Sequence, residues 1–174
     1  MKKKRLPIPA PDLAKIQQES MDLDDKPRWL IALISDTGMR LSEACGLQAR
    51  DIHPDANSSY INLVEHPWRR LKTSSSSRQV PLVGASIWAA HRIVDAGYSF
   101  AFPKYCSKAR CNANSASAAL NKWLKPRVPD GCVIYSFRHG LRDRLRAIEC
   151  PADIIGAISG WATEGIGHQY GKRS

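Results

Sequence analysis

The stretch Thr37–Leu47, TGMRLSEACGL, decides how this chain is read. Gly38 breaks one helical pattern, and a second, shorter one begins two residues later. On the upstream side, DKPRWLIALISDTG places Trp29, Leu30, Leu33 and Ile34 on one helical face. On the downstream side, RLSEACGL turns Leu41, Ala44 and Cys45 inward. Arg40 stands at the opening of the second helix with Glu43 three residues on, a spacing that puts two side chains on a shared face. A carboxylate there can hold a guanidinium in a fixed pose. An exposed pair of that kind contributes only about 0.3–0.5 kcal/mol, so its meaning depends on what else converges on Arg40.

Working outward, PIPAPDLAKIQQES opens with prolines and offers Asp12 near a helix start. Beyond the central stretch the periodicity changes. Residues 58–83, SSYINLVEHPWRRLKTSSSSRQVPLV, alternate and are β-branched in places. They read as three short antiparallel strands, about 60–65, 68–73 and 78–82, with the serine run 74–77 as the tip of the second hairpin. Helical patterning returns over 85–97, 114–126, 135–149 and 151–160. In the third of these, Leu141, Leu145 and Ile148 fall inward and Arg142, Arg144 and Arg146 mostly outward. The expected fold class is therefore α+β, mostly α-helical, with a small three-stranded antiparallel sheet and no internal repeat.

The 174 residues suit one domain, and 26 Lys+Arg against 16 Asp+Glu leave a formal net charge of +10. Such a balance favours a polyanionic partner, because cationic side chains on nucleic acid release condensed counterions. Five cysteines, at 45, 106, 111, 132 and 150, form no CxxC pair. Their odd number and loose spacing point to reduced thiols in a cytoplasmic setting and to no zinc site. The carboxylate groupings DLDD (22–25) and RDIHPD (50–55) read as polar turns, so no metal is expected. No apolar run approaches the ~20 residues that cross a bilayer, so no membrane partner is expected. MKKKR lacks a following apolar run and reads as the end of a linker or a DNA-contacting arm.

Three further features are chemically coherent with the Arg40–Glu43 pair. Lys72 precedes the serine turn, where it can reach over a groove and donate a proton. Arg138, in YSFRHG, sits on the first turn of a helix, where backbone N–H groups favour an anion, with His139 beside it. Two arginines and a lysine around one point make a phosphodiester clamp, because a guanidinium fork donates to two phosphate oxygens at once. Near the C-terminal end, SGWATEGIGHQYG carries Trp161 and, nine positions on, Tyr170. A tyrosine hydroxyl beside two arginines can attack phosphorus and divide one hard step into two. Gly165, Gly167 and Gly171 suggest that this segment can change conformation.

In this order and spacing, the features resemble the catalytic domain of tyrosine recombinases, the phage integrase family, over essentially the whole chain from about Leu6. The family carries an Arg in a TGxRxxE box, a Lys on a β-hairpin, a His-x-x-Arg box, a His or Trp, and a Tyr about nine residues later. Here TGMRLSE supplies Arg40 and Glu43, and LKTSSSSRQVPL supplies Lys72 ahead of an R-x-V-P-L strand that begins at Arg78. YSFRH supplies Arg138, ISGWA supplies Trp161 and HQYG supplies Tyr170. Tyr135 departs from the pattern, because it occupies the His position of His-x-x-Arg. A phenol can still hydrogen-bond the phosphate, but it is less apt as a base near neutral pH. His168 can supply the missing base, and His139 reads as a supporting group beside Arg138.

The resemblance implies a bacterial or phage-encoded, site-specific recombinase that cleaves and rejoins double-stranded DNA through a 3′-phosphotyrosyl intermediate without a cofactor. Tyr170 is the implied nucleophile, Arg40 and Arg138 the phosphate clamp, and Lys72 the general acid; Trp161 and Tyr135 steady the phosphate. Arg78, Arg142 and Arg146 are candidates for DNA contact. It further implies a homotetramer on synapsed DNA and a monomer for an isolated domain. Residues 1–5 read as a basic linker remnant and 6–174 as the catalytic domain, with the family's N-terminal core-binding domain absent from this chain. Two alternatives remain open at this point: a catalytically impaired DNA-binding module of the same fold, and a type IB topoisomerase-like enzyme that relaxes DNA without exchanging partners.

Overall fold

A computed structural model of the chain describes residues 6–55, 57–73 and 76–160. Its centre is a helix, α2 (Lys26–Thr37), which follows α1 (Ala10–Leu23). The Asp25 side chain caps α2 by accepting from the Arg28 N–H at 3.0 Å, and Pro27 adds a preset φ to the first turn. From Leu30 to Ser35 every residue is buried, so α2 is enclosed on all sides by α1, α4 (Ala85–Asp95) and α6 (Ser136–Ala147). Its buried hydroxyls are satisfied within the helix: Ser35 donates to the Ala32 carbonyl at 2.9 Å and Thr37 to that of Leu33 at 2.7 Å. Gly38 ends α2 in the left-handed conformation, φ +66°, and the five-residue helix α3 (Leu41–Cys45) starts at once.

The sheet is antiparallel, in the order β1 (Ile52–His53), β2 (Tyr60–Leu63), β3 (Arg78–Pro81). Ile61 pairs with Ile52 on one side and Val80 on the other, and Ile61, Leu63 and Val80 are buried while Asn62 and Gln79 face solvent. That alternation is the period-two signal in the sequence.

Three expectations are corrected here. The segment 68–73 is not a strand, and the third strand is instead β1. Successive strand residues point to opposite faces, whereas Trp68 and Arg69 both turn toward α3, donating to the carbonyls of Gly46 at 2.9 Å and Glu43 at 2.5 Å. Residues 64–73 thus leave the sheet after β2, pinched by reciprocal backbone bonds between His66 and Arg69. Ile148 is 74% exposed rather than inward, because α6 stops at Ala147 and the chain leaves the helical register. Cys106 and Cys111 are joined as a disulfide, which corrects the reading of all five thiols as reduced. An antiparallel backbone bridge between the two residues brings their side chains together, and Cys45, Cys132 and Cys150 remain free.

The loop closed by that disulfide feeds α5 (Ala113–Leu124), whose Asn112 cap accepts from the Ser115 N–H at 3.1 Å. After α6 the last described helix is α7 (Ala152–Ser159), ended by Gly160 at φ +68°. Among the described residues no helix is long and apolar enough to cross a membrane, and no group of three His, Cys, Asp or Glu could hold a metal ion.

Candidate active site

Glu43 organises the site. It is 2% exposed, and its carboxylate accepts from four N–H groups. Oε1 takes the Arg40 backbone N–H at 2.8 Å and Arg78 Nη2 at 3.2 Å, while Oε2 takes Arg40 Nη1 at 3.1 Å and Arg78 Nη1 at 3.0 Å. The backbone bond makes Glu43 the cap of its own helix start. Burial by itself raises the Glu43 pKa, but the Arg78 hydrogen bond and the charges of Arg78 and Arg40 outweigh it and hold the carboxyl below its ordinary 4.5. The pairing expected from spacing is therefore a buried network rather than a solvated surface pair.

Arg138 reaches the same place from α6. It is 2% exposed, and its Nη1 donates to the Gly38 carbonyl at 2.8 Å. Burial and then the like charge of Arg40 push its pKa down to about 10, with Glu43 and Tyr135 acting the other way. It remains a cation at neutral pH. Arg40, Arg138 and Tyr135 line one cavity of about 290 Å³, together with Met39, Ser42 and Asn114. The guanidiniums of Arg40 and Arg78 thus pair with one carboxylate, and the charges of Arg40, Arg78 and Glu43 are all felt at Arg138. Net positive charge at a partly desolvated spot is the arrangement that an anion completes.

The charge comes from side chains alone. The N–H groups of Ser136, Phe137 and Arg138 donate to the carbonyls of Val133, Ile134 and Tyr135 at 2.8, 3.3 and 3.1 Å. The expectation that a helix N-terminus offers them to an anion is corrected: a preceding turn has already consumed them.

Two residues that sequence reasoning missed complete the support. Arg69 is 4% exposed and binds the carbonyls of Glu43 and Val64. Its stem lies against Gly46, where an added Cβ would come within 2.7 Å of it. Ser76 is fully buried and accepts from Arg40 Nη1 at 3.2 Å, with Thr73 Oγ1 3.1 Å away. It was expected on an exposed hairpin tip; instead it ties the excursion that carries Lys72 to Arg40. Lys72 itself is exposed. A buried arginine in WRRLK has no periodic signal, because its partners are carbonyls far along the chain.

The model of the phage integrase family matches residues 10–173, nearly the full length. The chain belongs to the phage integrase family. Solved structures agree on the fold. An XerA recombinase aligns with a TM-score of 0.68 at 13% identity, covering 99% of this chain and 65% of that one. A Tn1549 transposon integrase in complex with circular intermediate DNA aligns at 0.68 and 16%, covering 96% and 61%. A lambda integrase dimer bound to a core site aligns at 0.65 and 15%, covering 98% and 49%. This chain therefore spans from about half to about two thirds of those chains, and at such identities the likeness shows the fold alone. No curated protein sequence matches it.

Against the family's pattern, Tyr135 stands at the His position, at the start of α6 and on the cavity wall. Its ring meets that of His139 edge-on at 5.1 Å, so His139 braces the phenol. Of the cations expected to touch DNA, Arg146 is exposed and Arg142 half-buried. Arg78 is corrected: with its side chain 6% exposed and its guanidinium committed to Glu43, it is an internal strut. Trp161, His168 and Tyr170 lie outside the described residues, as do Ser74, Ser75 and the basic residues 1–5.

Proposed function

We propose that this member of the phage integrase family is the catalytic domain, residues 6–174, of a site-specific recombinase acting on double-stranded DNA. Arg40 and Arg138 bind the non-bridging oxygens of the scissile phosphate and stabilise the charge that builds in the transition state. The Tyr170 oxygen attacks phosphorus, the bond from phosphorus to the 5′-oxygen breaks, and a 3′-phosphotyrosyl link remains. His168 takes the phenolic proton, and Lys72 gives one to the departing 5′-oxygen. Trp161 and Tyr135 steady the phosphate. A 5′-hydroxyl of a partner strand then reverses the steps, so the energy of the phosphodiester is conserved and no cofactor is consumed. Two protomers on each of two synapsed sites make a homotetramer.

The observation that carries this reading is the cavity shared by Arg40 and Arg138, with Arg40 held in place by the buried Glu43 carboxylate. A nicked suicide substrate, from which the 5′-hydroxyl fragment diffuses away, tests it. A covalent protein–DNA adduct that disappears in Tyr170→Phe is expected. Binding without an adduct would instead favour a DNA-binding module that has lost catalysis, the direction in which the His-to-Tyr change at Tyr135 points. Relaxation of a two-site plasmid without recombinant products would favour a topoisomerase.

A further inference from the structure

The buried arginine at the start of β3 does more than neutralise Glu43. Its Nη1 and Nη2 lie on the two Glu43 oxygens at 3.0 and 3.2 Å, a bidentate pairing that fixes angle as well as distance. The same Nη1 donates to the Ser76 carbonyl at 2.7 Å, and Nε donates to the Ile158 carbonyl at 2.8 Å. Ile158 is in the last turn of α7, where carbonyls have no partner within the helix. Immediately beyond it, Gly160 adopts φ +68°, and a Cβ built there would stand 2.5 Å from Arg78 Nη1. Only glycine lets the guanidinium lie across the end of α7. Each contact uses a different edge of one planar group, which an ammonium cannot reproduce.

We infer that Arg78 is a positioning residue that fastens the Arg40–Glu43 pair to the C-terminal end of α7. Trp161 follows Gly160 directly and Tyr170 comes ten positions later. The guanidinium therefore sets the distance between the phosphate clamp and the point where the nucleophile-bearing segment begins. The kinetic consequence rests on the recombinase reading above; the mechanical tie does not.

The test uses Arg78→Lys and Arg78→Gln, alone and with Arg40→Ala, in two measurements. In amide exchange without DNA, both variants speed exchange over 155–160 and 40–46 together and leave α4 unchanged. In single-turnover cleavage of the nicked substrate, both lower the rate about tenfold to a hundredfold, the scale of a misplaced catalytic group. DNA affinity stays within about twofold, since Arg78 touches no solvent-facing phosphate. In the Arg40→Ala background Arg78→Gln costs less than about threefold, because both changes disable the same contact. Equal losses in the two backgrounds, an unchanged rate, or a loss confined to DNA affinity would overturn the assignment. Should the unsubstituted protein give no adduct, the recombinase reading fails. The exchange measurement then decides alone: unchanged exchange in either segment removes the tie.

Discussion

The carbonyl of Gly38 accepts a hydrogen bond from Nη1 of Arg138 at 2.8 Å, across 100 positions of sequence. The residue that stops α2 by entering the left-handed region thereby aims a backbone acceptor at the second arginine of the proposed clamp. Gly38→Ala tests both roles. An L side chain in that region costs about 1–2 kcal/mol, and the added Cβ would stand 2.7 Å from Leu141 Cδ2 on α6. The melting temperature should fall by about 2–8 °C. Adduct formation at 25 °C should fall further than the loss of folded protein explains, because α6 and its arginine are displaced together.

Glu43 should make stability depend on acid. Its carboxyl titrates near 4.5 when unfolded and lower when folded. The stabilisation is thus fully present above that ordinary value and is lost as pH falls through the folded one. Glu43→Gln leaves Arg40 and Arg78 buried against an uncharged amide, a change costing about 3–5 kcal/mol at neutral pH. Urea melts from pH 7 to pH 3 should show the two proteins converging toward the acid end. A constant gap would mean that the carboxylate charge is not what holds the arginines.

Tyr135→His restores the family's residue on the cavity wall. Single-turnover cleavage should rise, and its pH profile should acquire an inflexion near ~6.5 from the imidazole. Tyr135→Phe should lower the rate, since the ring still packs on His139 but the hydroxyl is gone. A flat profile in the histidine variant would show that position 135 takes no part in proton movement.

The Cys106–Cys111 bond closes a short loop ahead of α5. Closing so small a loop contributes about 2 kcal/mol through the unfolded chain. Dithiothreitol should lower the melting temperature of the unsubstituted protein and leave that of Cys106→Ser unchanged. An equal response in both would place the reductant's effect elsewhere.

Local order was legible in the sequence by itself. The helices follow apolar spacing, two of their ends follow Gly38 and Gly160, and the Arg40–Glu43 pair follows from a three-residue interval. These signals involve neighbours within one turn, where geometry is set before the chain folds. Arg78 and Arg69 were not legible as internal residues. Arg78 meets Glu43 across 35 positions and Ile158 across 80. An arginine is buried only where a carboxylate or a bare carbonyl awaits it, and such partners come together only on folding. The same reason misplaced a strand at 68–73: alternation along WRRLKT cannot reveal that two successive side chains are both drawn to α3. Tertiary structure alone turned a common surface pattern into a cationic cavity, because desolvation made each charge depend on partners distant in the chain.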